Sequence, residues 1–409
     1  MLSKRLFIFF ILLLLFFGFQ SRNEESSKKA QIVTHLQQEV RQWIFPASTS
    51  DAPLLYFTLS EKKLLLTDVS GTTELNLPPH FYQINTSLQG QRFFLSQLFP
   101  PGKEQKTAQL VVKVYSDSVT LLSEISYPLL EPESIPQVTL LDNGGLILSE
   151  SAIGQLNFYA PSGNLTRQIR LFDDAGYDLE RVLLVAAGNA RSGKVAVLAS
   201  KKGSAPLDSN VPVPSGEPHL FLFDFQGNKL WQKALPEAAP ANLAFSPDGK
   251  SLLVSVYSSY LFKDIVKKTL LLQADGAILK SFPFLFKHAD FDSQSKLALI
   301  ADRFTARQIN LENGNLLWEY HFLPEKGMIT DLKLNEIGQT ATILTGINRF
   351  SNNRFEFHQP QIYIFNGKGN LLEQISFENE FFLHPALTIK NNEIYLGLSH
   401  NLYRIEVQR

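Results

Sequence analysis

Apolar and polar positions alternate along most of this chain with a period of two, in short runs broken by glycine-containing turns. One composite pattern recurs: LNFYAPSGNLTRQIRL from Leu156, LFLFDFQGNKLWQKAL from Leu220, LLLQADGAILKSFPF from Leu270, RQINLENGNLLWEYHF from Arg307 and IYIFNGKGNLLEQISF from Ile362. Each reads as a strand, a tight turn and a second strand, which is one hairpin repeated. Weaker copies start at Leu64 and Leu110. Between Asn242 and Pro283 the unit is complete: LAFS, a PDG turn, KSLLVSVY, then KKTLLLQA, a DG turn and AILKSF, four antiparallel strands in all. The same frame fits Gln137 to Ile169, Leu179 to Leu235, Ala289 to Phe322 and Ile329 to Phe377, with a looser copy from Phe81 to Ile125.

A four-stranded sheet with two apolar faces is not stable alone, so the units must pack radially around an axis, and closing the ring also protects their edges. The expected fold is therefore an all-β propeller over residues 51–409. Three strands remain at the start (Leu54 to Leu77) and three at the end (Leu387 to Val407). Shared in one blade they give seven blades, the count expected here; if each end builds its own blade there are eight.

Upstream, Ile32, Val33, Leu36, Val40, Trp43 and Ile44 recur at spacings of three and four, which predicts a short amphipathic helix within a linker over 22–50. Lys4 and Arg5 precede an apolar run from Leu6 to Phe19, the profile of an export signal within residues 1–21. Gly18 to Ser21 offer no small-residue cleavage pair, which favours retention as an anchor. Fourteen residues reach only about 21 Å as a helix, which favours a cleaved signal instead. Both readings place the remainder outside the cytoplasm, in a periplasm or on a cell surface.

Composition narrows the function classes. The 38 basic and 39 acidic residues nearly cancel, so no overall field draws the protein to nucleic acid. Cysteine is absent, which excludes disulfides, zinc thiolates and a thiol nucleophile. FSPDGK at Phe245 to Lys250 resembles the first turn of WD40-like and TolB-like propeller repeats, and GNKLW (Gly227 to Trp231) with GNLLW (Gly314 to Trp318) resembles the pyrroloquinoline-quinone type repeat. The resemblance implies a propeller fold, with the Trp filling space between blades, and implies no cofactor: the vicinal cysteines of quinone dehydrogenases are missing.

GNARSGK, Gly188 to Lys194, has P-loop spacing, but Val195 stands where a magnesium-binding Ser or Thr is needed and the next segment reads as a strand. Asp173, Asp174, Asp178 and Glu180 read as a solvated acidic loop. His288, Asp290 and Asp292 alternate along an innermost strand, and with His80 and His384 they raise the alternative of an exported metal-dependent hydrolase or lactonase-like enzyme; no tight ligand spacing supports a metal.

The loops point elsewhere. Connections between second and third strands share one side of the disc, and the long insertions lie there: Phe99 to Ala108, Lys201 to Pro218, Ser258 to Lys267 and Ile347 to Pro360. Two of them mix aromatic and cationic residues. Tyr260, Phe262, Lys263, Arg349, Phe350, Arg354 and Phe355 are accordingly the candidate binding residues of a non-catalytic platform for a protein or polysaccharide partner.

Overall fold

The computed structural model describes residues 30–35, 39–40, 42–44, 54–58, 63–68, 71–87, 92–102, 106–129, 134–172, 181–200, 218–235, 238–260, 263–335, 337–351, 353–384, 386–390 and 393–406. Among these residues the strands form eight antiparallel sheets, seven of four strands and one extended to five. In chain order blades 1 to 7 span 42–76, 81–128, 137–170, 183–234, 239–282, 288–321 and 328–376, and blade 8 combines 387–406 with 30–35.

The alternation seen in the sequence is what joins the blades. In the strand Lys194–Ser200, Val195, Val197 and Ala199 pack into the core shared with blade 3, while Ala196 and Leu198 pack into the core shared with blade 5. Every junction has its own apolar cluster, eight clusters for eight junctions, so the ring is continuous. With a buried Leu or Phe side chain worth about 1.5–3 kcal/mol, these clusters dominate the fold's stability.

The repeated glycine sits in the left-handed region at the third-to-fourth turns of blades 3 to 7: φ is 84° at Gly163, 80° at Gly227, 86° at Gly276, 69° at Gly314 and 80° at Gly369. The residues flanking each turn shift register by one, the bulge that lets so short a turn match the strand twist. Blade 2 departs from the rule by placing Val119 there at φ 64°. A β-branched residue in that region costs about 1–2 kcal/mol, and Val119 recovers part of it by packing on the core between blades 1 and 2. Val119→Gly should therefore stabilise the protein by about 0.5–1 kcal/mol. Gly369→Ala, whose new Cβ would lie 2.6 Å from Trp318, should destabilise it by about 2 kcal/mol. Denaturant midpoints check both signs.

Ring closure corrects two expectations. Residues Ala30–His35 and Gln42–Ile44 are strands, not a helix, and Leu36 lies outside the described residues. Ala30–His35 pairs with Asn401–Glu406 as the outer strand of blade 8, and Gln42–Ile44 is the inner strand of blade 1. Each end of the chain thus completes its own blade, which gives the count of eight in place of a shared seventh, and the ring takes in residues from 30 rather than 51. The physical reason is the open edge of Asn401–Glu406, whose ladder a helix would leave unpaired. Trp43 locks the seam: it is 4% exposed, and its indole N–H donates to the Leu398 carbonyl at 2.6 Å. A side chain at Gly397 would meet it at 2.3 Å.

Among the described residues no helix is long and apolar enough to cross a membrane; the run Leu6 to Phe19 lies outside them.

Candidate docking face and channel mouth

Two of the four long insertions are strand extensions. Ser251–Tyr260 and Lys263–Gln273 pair out to Tyr260 opposite Lys263, with a register shift between Ser258 and Ser259, so Ser258 to Lys267 is the end of a ladder; Phe262 lies outside the described residues. Thr340–Ser351 and Arg354–Asn366 pair out to Ser351 opposite Arg354, with a bulge between Thr345 and Ile347. Of the other insertions, residues 103–105 and 201–217 fall outside the described residues, as does the acidic loop from Asp173 to Glu180. Alternation such as RFEFH, Arg354 to His358, was the available signal for a strand, and Asn353, at φ 61°, makes the tip turn.

The longer hairpin is braced at its base. Phe381–Phe382 pairs with His358 and Phe357 as a fifth strand of blade 7, and the Phe357 and Phe382 rings stack at 5.1 Å. Near the tip, Phe350 and Phe355 lie opposite each other, 65% and 64% exposed, with ring centroids 5.1 Å apart in a T-shaped contact. Phenylalanines left this open on a rigid arm are suited to filling pockets of another molecule.

Arg354 faces back. Its guanidinium grips the Glu39 carboxylate at 2.7 and 2.9 Å and donates through Nε to Glu356 at 2.8 Å. The second oxygen of Glu356 meets the His358 ring at 2.9 Å. Burial favours the protonated acid at Glu356, but the hydrogen bonds from Arg354 and His358 outweigh it and hold the carboxyl below its usual range. Arg354 therefore ties the hairpin to the segment that joins blade 8 to blade 1.

The axis of the ring is lined by inner strands. Among the described residues three of these carry a bulge near their start, at Phe81/Gln83, Pro240/Asn242 and Ile329/Asp331. Polar side chains of the inner strands staple successive blades. Asn242 donates to the Lys287 carbonyl at 2.9 Å, Asp290 accepts from the Leu334 amide at 2.7 Å, and Asp331 accepts from the Leu387 amide at 3.2 Å. Lys333 lies 4.0 Å from Asp290; their side chains keep 34% and 26% of their surface open to the channel while protein encloses them laterally. Burial pushes both aspartates above the usual carboxylate range. Burial alone would lower Lys333, but the two carboxylates together raise it. Neither Asp331 nor Lys333 stands out in the sequence, because isolated charged residues on a short inner strand have no pattern of their own.

The histidines and aspartates weighed as metal ligands are spread out. His288 borders a cavity of about 490 Å³ on the long-hairpin side, beside Asn242, Thr330 and Phe357. Asp290 is engaged with blade 7, and Asp292 caps the opposite turn, accepting from the Lys296 and Leu297 amides at 2.7 Å. Along one strand this separation amounts to about 13 Å. His80 belongs to blade 2, its ring 5.1 Å from Phe99, and His384 precedes blade 8. Burial, then Lys287 and Lys333, lower the His288 pKa. Among the described residues no three His, Asp or Glu side chains converge as metal donors. The stretch from Gly188 to Lys194 is a hairpin turn whose Lys194 donates to the Gly249 carbonyl at 3.3 Å.

The repeat's tryptophans do fill space between blades. Trp231 covers Gly276, and Trp318 covers Gly369 while stacking on Phe365 at 5.6 Å.

No family model matches the sequence, and no curated protein matches it. Solved structures do. The C-terminal WD40 domain of Sif2 superposes with a TM-score of 0.58 at 12% identity, over 93% of this chain and 99% of that one. The Dos1 propeller gives 0.56 at 12% identity, over 90% and 96%. At these identities the likeness is one of fold, and the fold is that of WD40 β-propellers.

Proposed function

We propose that this chain is a non-catalytic β-propeller outside the cytoplasm that docks a protein partner through its long-hairpin face. The observation that carries the reading is the pair Phe350 and Phe355, more than half exposed at the end of a hairpin braced by Phe381–Phe382 and tied down by Arg354. A braced arm has little conformational freedom left to lose on binding, and exposed aromatic residues supply most of the energy at protein interfaces. The apolar run after Lys4 and Arg5 supports export.

A polysaccharide partner is supported less well, because a T-shaped pair presents one ring edge where sugar stacking needs flat faces. The hydrolase alternative loses support from the spread of His80, His288, Asp292 and His384 around and along the ring.

A photo-crosslinking residue at position 350 of the full chain, expressed in its native host, should give one discrete protein adduct. The double variant Phe350→Ser/Phe355→Ser should hold its Tm and weaken capture of that partner by 30-fold or more, the loss of a hot-spot pair. An unchanged partner yield from the double variant would end the reading. Arg354→Ala, by contrast, should lower stability first, since it strands Glu356, 3% exposed.

A further inference from the structure

The chain joins the ring on the side opposite the long hairpins. His35 pairs with Asn401, which follows a second-to-third connection on the hairpin side, whereas Ala30 pairs with Ile405 at the tight-turn side. Ten residues, 20–29, separate Ala30 from the end of the apolar run at Phe19, a reach of at most about 35 Å. A disc held by that run is attached on its tight-turn side.

Across the ring from blade 8 lie blades 3, 4 and 5. Their outer strands, Leu165–Arg170, Lys229–Ala234 and Ile278–Phe282, contain five cationic residues and no carboxylate. At the tight-turn ends of these strands Leu165, Leu230 and Ile278, 53%, 50% and 46% exposed, are interleaved with exposed Arg167, Lys229 and Lys280. The hydrogen bonds of Arg167 and Lys229 go to the neutral amides of Asn228 and Gln232, so their charge is not cancelled by an ion pair. Asp224 and Asp275 in the adjoining turns are occupied capping backbone amides, and counting both still leaves five minus two, or +3, over these three outer strands and their turns. The outer strands of blades 2, 6 and 7 also expose leucines, but each contains a glutamate: Glu124, Glu319 or Glu373.

We propose that the arc of Leu165, Arg167, Lys229, Leu230, Ile278 and Lys280 rests on an anionic lipid surface, so that the disc lies flat, tethered at blade 8 and seated at the opposite edge. Apolar side chains interleaved with cations match the boundary between acyl chains and acidic headgroups, where both kinds of group gain at once. Two attachments on opposite edges fix an orientation that a single tether leaves free, and they leave Phe350 and Phe355 facing away. The inference rests on the membrane-tether reading of Leu6 to Phe19.

The chain has no cysteine, so single-cysteine variants give unambiguous reporters. Leu165→Cys, Ile278→Cys and Phe350→Cys in the full chain would carry a polarity-sensitive dye on vesicles with and without phosphatidylglycerol. With the anionic lipid, the dye at 165 and 278 should shift to the blue and lose most of its quenching by iodide, while the dye at 350 stays quenchable. Equal quenching at all three sites on vesicle-bound protein overturns the proposal. A second full chain, with residues 6–19 replaced by histidines and held on nickel-chelating lipid, separates the two readings. Shielding at 165 in that chain, when the natural chain fails to float with vesicles, upholds the arc and rejects the anchor. Floating of the natural chain without shielding in either chain rejects the arc and upholds the anchor. The triple variant R167E/K229E/K280E should abolish shielding without changing Tm. Shielding by soluble heparin but not by vesicles would reassign the arc to a polyanion and overturn the lipid proposal.

Discussion

Trp43→Ala should open the ring at the junction of blades 8 and 1, at a cost of about 3–5 kcal/mol for an emptied tryptophan site. The indole fills the space above Gly397 and its N–H satisfies the Leu398 carbonyl, so the change removes packing and orphans an acceptor together. For a chain of this size, with an unfolding entropy of about 2.1 cal/mol/K per residue, that amounts to a Tm lower by roughly 4–6 °C. The loss should be local in its dynamics. Amide exchange should accelerate in Ala30–His35 and Asn401–Glu406, whose pairing depends on the seam, and remain slow in blades 4 and 5. Trp43→Phe keeps most of the packing and should cost about 1–2 kcal/mol. Uniform acceleration around the ring would mean that closure is no weaker than any other junction.

Lys333→Met should be the most damaging change in the channel. It leaves Asp290 and Asp331 enclosed without their cation, a situation that costs about 3–5 kcal/mol in a dry interior; water in the channel reduces this to about 2–3 kcal/mol at neutral pH. The pH dependence gives the sign. Burial already raises both carboxyls, and removal of the ammonium raises them further, so the folded variant binds protons in a range where the unfolded chain has released them. Its stability then falls as pH rises through that range, and the deficit relative to the natural protein should be small near pH 4 and complete near pH 7. Lys333 itself has a raised pKa, so its contribution is fully present below the ordinary lysine pKa and is lost as pH rises through the folded value; the deficit should narrow again in strong base. Melting curves from pH 4 to pH 11 would show the deficit rise and fall. A deficit independent of pH would mean that Lys333 acts through packing alone.

The hairpin insertions show what a sequence reader overlooks. The stretch from Ile347 to Pro360 has few aliphatic residues and many polar ones, and so passes for a loop. Yet Phe355 and Phe357 alternate with Glu356 and His358 in a ladder out to Ser351 opposite Arg354. Such a strand is set by its partner across the hairpin rather than by burial, and hydropathy carries little trace of it. Arg354, grouped with the binding residues from its sequence context, is committed to Glu39, 315 positions away in the chain.

The blade frame was written locally. Glycines at the third-to-fourth turns, apolar residues on both faces of each middle strand, and tryptophans four positions after a turn glycine are short-range demands, met within one unit or between neighbours, and the chain states them repeatedly. How the ring ends was decided only by tertiary structure. The spacing from Ile32 to Ile44 imitates a helix because it runs across two separate strands, one completing blade 8 and the other beginning blade 1. The second pairs with Leu54–Thr58, but the first is imposed by the open edge of Asn401–Glu406, a partner more than 360 residues away, and no local pattern can anticipate a hydrogen-bonding edge that exists only once the other blades have assembled.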